Sequence, residues 1–254
     1  MPENTVQSVN RALTILEAVA GADSEIGVTE LAKMLNLHKS TVHRLLNTLV
    51  HKGYIEQNPE TEGYKLGIKA VELGSKVFNG LELRNQTVYL QELRQDIGET
   101  VHLVIRNGDQ GVYIDKVETR QTLRMYSEIG NKIPLYCTAV GKVLLSHLGR
   151  DKLEKMYKGK KLKKYTKNTI TDWEEFFNEL KRVRRQGYAV DNEEYEQEIR
   201  CVAAPVKNYE GQVIAAVSVS GPAFRITKEK VEEIAGKVKK KALLMSKRLG
   251  YTGS

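Results

Sequence analysis

The chain contains little cysteine and no recognisable metal-binding motif. Of its 254 residues, two are cysteines, Cys137 and Cys201, which is too few for a disulfide scaffold and is typical of a reducing compartment. The five histidines accompany no HExxH or CxxC pattern. We therefore expect neither a metal site nor a cofactor.

Long apolar runs are also absent. No stretch approaches the roughly 18 apolar residues that a membrane span requires. The first residues lack the basic stretch followed by an apolar one that marks a secretory signal. These absences predict a cytoplasmic protein without a membrane partner. A hydrophobic fraction of 41% supports a packed core, and the length is sufficient for two domains.

The net charge of +8 is unevenly distributed. Residues 1–66 hold six of the 40 Lys and Arg and eight of the 32 Asp and Glu, so this part is slightly acidic. The excess of cations lies in 150–185 and 225–248, which we interpret as solvated helix faces. Acidic residues are missing from 38–52, and this local absence favours nucleic-acid binding more strongly than the overall charge does.

Residues 28–46 have the apolar spacing of two short helices joined by a tight turn. The apolar positions are Leu31, Ala32 and Leu35 in the first helix, and Val42, Leu45 and Leu46 in the second. Asn36 lies between them, and asparagine tolerates the left-handed backbone conformation that a sharp turn needs. Ala32 is small where two crossing helices approach closely. The pattern predicts a helix-turn-helix, and therefore a DNA partner.

The flanking segments extend this motif into a winged helix. A helix that begins at Ser8 and ends before Gly21 is predicted from the period of Val9, Leu13, Leu16 and Val19. Two short alternating runs around a Pro- and Gly-containing turn predict a β-hairpin over 53–66, which would be the wing.

Strand-like alternation dominates the rest of the chain. Strands are predicted at 100–106, 111–117, 122–126, 188–191, 201–207 and 213–220, and helices at 68–79, 83–97, 141–148, 171–186 and 228–249. A capping box, Thr171 to Glu174, would open the helix that ends at Gln186. The order of elements predicts the α+β fold class, with an antiparallel sheet in the C-terminal domain.

The second helix of the motif carries the candidate DNA contacts. In a helix-turn-helix the N-terminal part of this helix faces base edges and phosphates. The candidates are Lys39, Ser40, Thr41, His43, Arg44 and Thr48, joined by Lys65 and Tyr64 from the wing. Lys39 and Arg44 suit contacts to guanine, and hydroxyls suit phosphate oxygens. Arg11 either contacts DNA or anchors the first helix. A winged helix that binds only protein remains an alternative.

Three segments resemble the IclR family of bacterial transcription regulators. They are SVNRALTIL (8–16), STVHRLL (40–46) and GYAVDNEEYEQEIRCVAAPV (187–206). The resemblance implies a winged helix-turn-helix DNA-binding domain (1–66), a linker helix (67–82) and a GAF-like effector-binding domain (83–254). It also implies homodimers or homotetramers on partly palindromic double-stranded operator DNA. Lys207 departs from a frequent aromatic residue of the family, and Glu198 from a frequent glycine.

Within that family, two further segments are most similar to the KdgR-type subgroup. They are LRMYSEIG (123–130) and LYCTAVGK (135–142). This likeness implies a repressor of pectin or hexuronate catabolism. It also implies a small carboxylate effector, 2-keto-3-deoxygluconate.

The resemblance also assigns an effector pocket. By residue-by-residue likeness its walls are Met125, Ile133, Ala139, Val140, Asp191, Ile199, Cys201, Ser218 and Ser220. Their chemistry suits a small molecule, because Ser218 and Ser220 alternate onto one face of an apolar strand and Asp191 can accept from ligand hydroxyls. Backbone N–H groups after Thr138 suit a carboxylate. Cys201 can alternatively be a buried small apolar residue, and the two serines small residues under a helix.

These features predict a ligand-responsive transcription regulator, a repressor that a small carboxylate releases from its operator. An activator of the same family is one alternative. An enzyme of small carboxylates with a DNA-binding appendage is another, and Asp191, Glu193 and Glu194 would then be its carboxylates rather than an acidic loop. We expect no enzyme, since no nucleophile, base and orienting group stand together in the pattern.

Overall fold

The structure, a computed structural model, describes residues 6–80, 83 and 86–253. It separates into two compact units, Met1–Leu81 and Glu82–Ser254. Residues 81 and 82 of the predicted linker helix, and 84 and 85 of the predicted helix 83–97, lie outside the described residues. Across the described ranges, no helix combines the length and apolar character needed to cross a membrane.

The first unit is a bundle of short helices with a two-stranded hairpin. Its elements are α1 (Gln7–Ala20), α2 (Val28–Met34), α3 (Lys39–His51), β1 (Ile55–Gln57), β2 (Tyr64–Leu66) and α4 (Ile68–Gly80). Strands β1 and β2 pair antiparallel, with Glu56 opposite Lys65. The helix-turn-helix and the wing are thus present at the predicted places.

The core of the first unit joins α1, α2 and α3 to the hairpin. Its buried side chains are Ile15, Val19, Ile26, Leu31, Val42, Leu46, Leu49, Ile55 and Tyr64. The predicted buried face of α1 is partly wrong, because Val9 and Leu13 are 55% and 52% exposed. The helix buries Val19, which belongs to the predicted period, together with Ile15 one turn earlier, whereas Val9 and Leu13 form an outward-facing apolar row.

The turn between α2 and α3 has the predicted backbone. Asn36 has a φ of +50°, in the left-handed region, and the N–H of Leu37 donates to the carbonyl of Ala32. Asparagine adopts this conformation more readily than most residues. The prediction for Asn36 is confirmed, and the turn directs α3 across α2.

The second unit is a six-stranded antiparallel sheet with helices on both faces. Its elements are α5 (Thr87–Ile97), β3 (Thr100–Asn107), β4 (Gln110–Val117), β5 (Lys132–Pro134), α6 (Ala139–Ser146), α7 (Arg150–Tyr157), α8 (Trp173–Gln186), β6 (Ala189–Asn192), β7 (Ile199–Lys207), β8 (Val213–Pro222), a 3₁₀ turn (Lys228–Lys230) and α9 (Val231–Arg248). The strand order is β5-β4-β3-β8-β7-β6. The predicted α+β class with an antiparallel sheet is confirmed.

The two faces of the sheet carry different helices. Cys201, Ala203 and Ala216 belong to the apolar cluster formed with α6 and α8. Ala204 follows Ala203 on β7 and lines a groove with α9 on the opposite face of the sheet. Successive side chains of a strand point to opposite faces, which accounts for this change. Helix α5 packs beside α9. Both faces of β7 and β8 are therefore covered.

Three predicted features of the second unit are wrong. Residues 122–126 form no strand, and Leu123 and Tyr126 are exposed there, while the strand that pairs with β4 at that edge of the sheet is β5. Helix α7 is absent from the sequence prediction, because its charged residues outnumber an apolar pair, Leu153 and Tyr157, spaced by one helical turn. The cap of α8 is Asp172 and not Thr171: its carboxylate accepts the N–H of Glu175 at 2.9 Å.

Candidate functional site

Helix α3 presents a continuous polar surface to solvent. Val42, Leu46 and Leu49 face the core, so the intervening positions of the helix point outward. We call this surface the reading face; it consists of Lys39, Ser40, Thr41, His43, Arg44 and Thr48, all exposed except half-buried Thr41. Within the described part of the chain, Lys39 and Arg44 form no ion pair. Their charges are therefore available to an anionic partner.

Two polar groups of the reading face already have partners within α3. The Thr48 hydroxyl donates to the carbonyl of Arg44 at 3.1 Å, so its hydrogen is occupied by the helix itself. The Nδ1 atom of His43 lies 3.3 Å from Nδ2 of Asn47, which makes Asn47 an exposed neighbour that the sequence interpretation missed. Lys39 and Arg44 thus remain the strongest candidates for base or phosphate contacts.

The wing contributes less than the sequence predicted. Lys65 is exposed, but its Nζ lies 3.8 Å from a carboxylate oxygen of Glu56 on the paired strand, which offsets its charge. The prediction that the Tyr64 side chain contacts DNA is wrong, because Tyr64 is buried among the core residues of the unit. Arg11 is half-buried on α1. Lys65 remains a backbone-contact candidate.

The second unit encloses a cavity at one face of its sheet. All nine residues of the predicted pocket line it, and Tyr113, Thr138, Tyr195 and Glu196 complete the wall. The space free of protein atoms is about 350 Å³ when the solvent at its mouth is counted, but the part that a water molecule can reach is only about 20 Å³, about the room that one water needs. The structure therefore brings together residues that are more than 90 positions apart in sequence.

The N-terminus of α6 forms one side of this cavity. Thr138 caps the helix by accepting the N–H of Gly141, and its hydroxyl donates to the carbonyl of Pro134 at 2.7 Å. Ala139 and Val140 follow at the cavity wall, in the first turn, where backbone N–H groups have no acceptor within the helix. A Cβ on Gly141 would overlap the carbonyl oxygen of Leu135, so only glycine allows this close approach.

Asp191 is the buried acidic group of the cavity, and Glu196 in the wall is exposed. It is buried at the end of β6, and its Oδ1 accepts the backbone N–H of Glu194 at 2.7 Å. Burial, together with the nearby Glu194 carboxylate, raises the pKa of Asp191 to about 7, although Lys142 acts in the opposite direction. The carboxyl can therefore be either protonated or ionised near neutral pH.

Behind Asp191 lies a buried cation, Lys142, on α6. Its Nζ is 2.6 Å from Oε1 of Glu194 and 3.3 Å from Oε1 of Glu179. Burial alone would lower the pKa of Lys142, but the carboxylates of Glu194 and Glu179 outweigh it and raise the pKa. Glu193 is bound elsewhere, 3.2 Å from Arg200. The acidic segment 191–194 thus includes two carboxylates held by structural ion pairs.

Ser220 is connected to a buried histidine that the sequence interpretation missed. Ser220 Oγ lies 3.4 Å from Nδ1 of His102, whose Nε2 is 2.8 Å from Oγ of Ser127. Burial, with a smaller contribution from Lys116, lowers the pKa of His102 to about 3, so the ring is neutral. The His102 ring also packs against Tyr113 of the cavity wall. The contacts of His102 with Ser127 and Tyr113 thus fix the ring that lies against the Ser220 hydroxyl.

Some of the missed residues have a signal in the sequence and others do not. Lys142 interrupts the otherwise apolar helix α6, and a lone cation in such a run signals a buried partner. His102 and Tyr113 lie in alternating strands like their neighbours and carry no comparable signal. Glu198 has a φ of +63°, which favours glycine, so the departure from the family's frequent glycine falls at a left-handed position.

Neither cysteine is bonded, and burial raises the pKa of both the Cys137 and the Cys201 thiols. Cys201 lies in the cavity wall and also in the apolar cluster, so it is both a lining residue and a buried small side chain. Among the described residues, no group of three or more His, Cys, Asp or Glu is arranged to hold a metal ion.

A winged helix-turn-helix with a cationic reading face, followed by a separate α+β unit, defines a DNA-binding transcriptional regulator. Comparison with known families agrees with this class. Residues 8–59 match the IclR helix-turn-helix domain, and residues 76–247 match the bacterial transcriptional regulator IclR C-terminal domain. The chain belongs to the IclR family.

Individual relatives match over nearly the whole length. The chain is 40% identical to the HTH-type transcriptional regulator XynR of Escherichia coli (strain K12), over 97% of this chain and 98% of that protein. It is 40% identical to the HTH-type transcriptional regulator KdgR of the same organism, over 98% and 94%. The crystal structure of the Thermotoga maritima IclR superposes with a TM-score of 0.79 at 37% identity, over 96% and 99%.

Proposed function

We propose that this regulator is a repressor whose cavity binds a small carboxylate, and that binding releases it from its operator. The observation that supports the proposal is the convergence of Asp191, Ser218 and Ser220 on one apolar cavity beside the N-terminus of α6. A few convergent polar groups in an apolar wall are the usual composition of a small-molecule site. An activator that uses the same two sites is the second candidate.

The chemistry of the wall suits a hydroxylated acid. The ligand's carboxylate would accept from backbone N–H groups of the first turn of α6, which also carries the positive end of the helix dipole. Its hydroxyls would face Ser218, Ser220 and Asp191. The similarity to KdgR makes 2-keto-3-deoxygluconate the effector to test first, and a pectin or hexuronate operon the target.

The remaining expectations concern domains, assembly and location. We propose a DNA-binding domain over 1–66, a linker helix over 67–82 and an effector domain over 83–254, the last being GAF-like. The working form would be a cytoplasmic homodimer or homotetramer on partly palindromic double-stranded DNA. Effector binding would shift the population between DNA-binding and released arrangements.

The effector is tested by thermal shift and DNA release. Sugar acids of hexuronate catabolism, 2-keto-3-deoxygluconate included, are added to the full chain, and a ligand that binds the folded state raises Tm by mass action. The same acid should reduce fluorescence anisotropy of a labelled duplex from the promoter of a pectin or hexuronate operon. Turnover of the acid would instead support an enzyme, and increased DNA binding would support an activator.

Cavity variants provide the control. We expect Ser220→Ala and Asp191→Ala to lose the Tm shift and the release of DNA while binding promoter DNA as the parent does without ligand. Asn47→Ala on α3 is the matched variant that should keep the thermal response. Loss of ligand-free DNA binding in the cavity variants would show that Ser220 and Asp191 are structural instead.

A further inference from the structure

The second unit carries a lysine-rich surface that neither the cavity nor the reading face uses. Residues 158–167 have the sequence KGKKLKKYTK, with six lysines and no acid, and we call this segment the lysine loop. It follows α7 and forms no regular helix or strand, so it is not the solvated helix face that the sequence predicted. We propose that the lysine loop binds the phosphate backbone of double-stranded DNA.

The charges of the lysine loop are exposed and largely uncompensated. All six lysines are exposed, and Lys158 lies 3.3 Å from Glu154. The other five, Lys160, Lys161, Lys163, Lys164 and Lys167, form no ion pair with any described residue. Five like charges in eight residues repel one another, and a polyanion relieves that repulsion.

The lysine loop is nevertheless held in place by hydrogen bonds of Lys163 and Thr166 within it and of Thr169 just after it. The Tyr136 hydroxyl donates to the carbonyl of Lys163 at 2.6 Å, and the Thr166 and Thr169 hydroxyls donate to the carbonyls of Glu193 and Glu194, both at 2.6 Å. These bonds hold the segment in one conformation although its like charges repel one another. A preorganised loop loses less conformational entropy on binding than a free tail would.

The remaining side chains of the loop favour DNA over a membrane surface. Leu162 packs against the core cluster, and the Tyr165 ring contacts that of Tyr195 at a centroid distance of 5.0 Å and lies under Lys163. Leu162 is therefore not free to insert into lipid, and the Tyr165 ring, although 37% exposed, is already in contact with Tyr195 and Lys163, so the loop lacks the apolar face of an interfacial segment. Exposed lysines without an apolar face beside them suit the sequence-independent contacts that phosphates make.

The distribution of charge between the parts of the chain gives an independent argument. Residues 1–66, which contain the helix-turn-helix, hold six Lys and Arg against eight Asp and Glu, so 67–254 hold the other 34 cations and 24 acids. Affinity for duplex DNA depends largely on the number of phosphates that cations neutralise. A DNA-binding protein whose reading domain is slightly acidic needs such cations elsewhere, and the lysine loop is their densest run.

The test measures how the affinity of the full chain for DNA depends on salt. A labelled duplex of about 30 base pairs without operator sequence is titrated by anisotropy between about 50 and 200 mM salt. The loop variant carries Lys160→Gln, Lys161→Gln, Lys163→Gln and Lys164→Gln. Its slope of log K against log salt should be smaller than the parent's by about 1 to 4, or about 0.9 for each phosphate that is no longer neutralised.

A matched variant separates the lysine loop from net charge. Lys228, Lys230, Lys240 and Lys247 are exposed, and replacing all four with Gln removes the same charge from another surface. This control should keep the parent's slope, and both variants should keep its Tm. The proposal is overturned if the loop variant keeps the parent's slope and affinity, or if the control loses as much.

Two more measurements distinguish duplex DNA from an acidic protein and the lysine loop from the reading face. If the loop variant loses binding to polyglutamate but not to DNA, the partner is an acidic protein and the proposal is wrong. Operator recognition is tested with Arg44→Ala, which should lower the preference for promoter over arbitrary DNA. The loop variant should instead weaken binding to promoter and to arbitrary DNA about equally. The proposal on the effector cavity is unaffected by either result.

Discussion

Lys39 and Arg44 of the reading face are exposed to solvent, whereas Lys142 and Asp191 of the second unit are almost completely buried. The exposed cations have no ionic partner among the described residues, and the buried Lys142 has two carboxylates within 3.3 Å. An exposed charge contributes little to folding because water solvates it. A buried charge is tolerated in the core only where partners of opposite charge offset the loss of hydration.

This difference indicates that the two sites fail in different ways when altered. Substitutions on the reading face should change DNA binding and leave the folded state intact. Substitutions around the cavity should change both ligand response and the free energy of unfolding. Variants of the cavity therefore have to be compared at matched stability, whereas variants of α3 do not.

The largest effect is expected at Lys142. Replacement by alanine leaves Glu194 and Glu179 buried without their cation, so the free energy of unfolding should fall by about 3–5 kcal/mol. Urea denaturation followed by circular dichroism measures this change. Lys152→Ala on the exposed side of α7 is the control, with an expected change within about 0.5 kcal/mol. A loss below about 1 kcal/mol at Lys142 would contradict a buried ion pair that the fold needs.

Arg44 should show the opposite behaviour. Arg44→Ala removes an exposed cation from the reading face, so promoter binding should weaken by about 1–3 kcal/mol if the guanidinium contacts a base. The free energy of unfolding should stay within about 0.5 kcal/mol of the parent's. Anisotropy titration gives the first quantity and urea denaturation the second. Lys33→Ala on α2 is the control; equal weakening there, or none at Arg44, would show that Arg44 does not contact a base.

The same contrast explains what the sequence could predict. The reading face comes from one helix, so the period of its apolar residues and the turn at Asn36 were sufficient to locate it. The alternation of Ser218 and Ser220 was equally local. The helix α7 was missed for a local reason too, because two buried side chains gave too weak a pattern within a charged segment.

The rest of the cavity depends on pairing between distant strands. His102 lies behind Ser220 because β3 and β8 pair in a register that places Thr100 opposite Ser220 and His102 opposite Ser218. No local pattern specifies that register. The nine lining residues were assigned by family resemblance and not from spacing, and Tyr113, Tyr195 and Glu196, which the resemblance did not supply, were missed.

The smallest effect concerns Asp191 and pH. Its pKa is raised from 3.8 to about 7 in the folded chain, mainly by burial, so the folded state retains a proton that the unfolded state loses between these values. Stability from this group is therefore full below pH 4 and is lost as the pH rises to about 7. Relative to Asp191→Asn, which has no such proton, the parent should lose about 1 kcal/mol in unfolding free energy between pH 5.5 and 6.5.

Urea denaturation of both proteins at several pH values measures this difference, and the remaining titrating groups cancel in the comparison. Asp109→Asn in the exposed β3–β4 turn is the control and should run parallel to the parent. A parallel profile for Asp191→Asn would show that Asp191 is ionised throughout.

The same proton should govern ligand binding in the cavity. Since a neutral Asp191 does not repel a carboxylate, an acid ligand should bind more tightly at pH 6 than at pH 8, and Asp191→Asn should abolish that dependence. Asp191→Asn leaves the residues of the reading face unchanged, so promoter binding without ligand should differ little between the parent and Asp191→Asn over the same range.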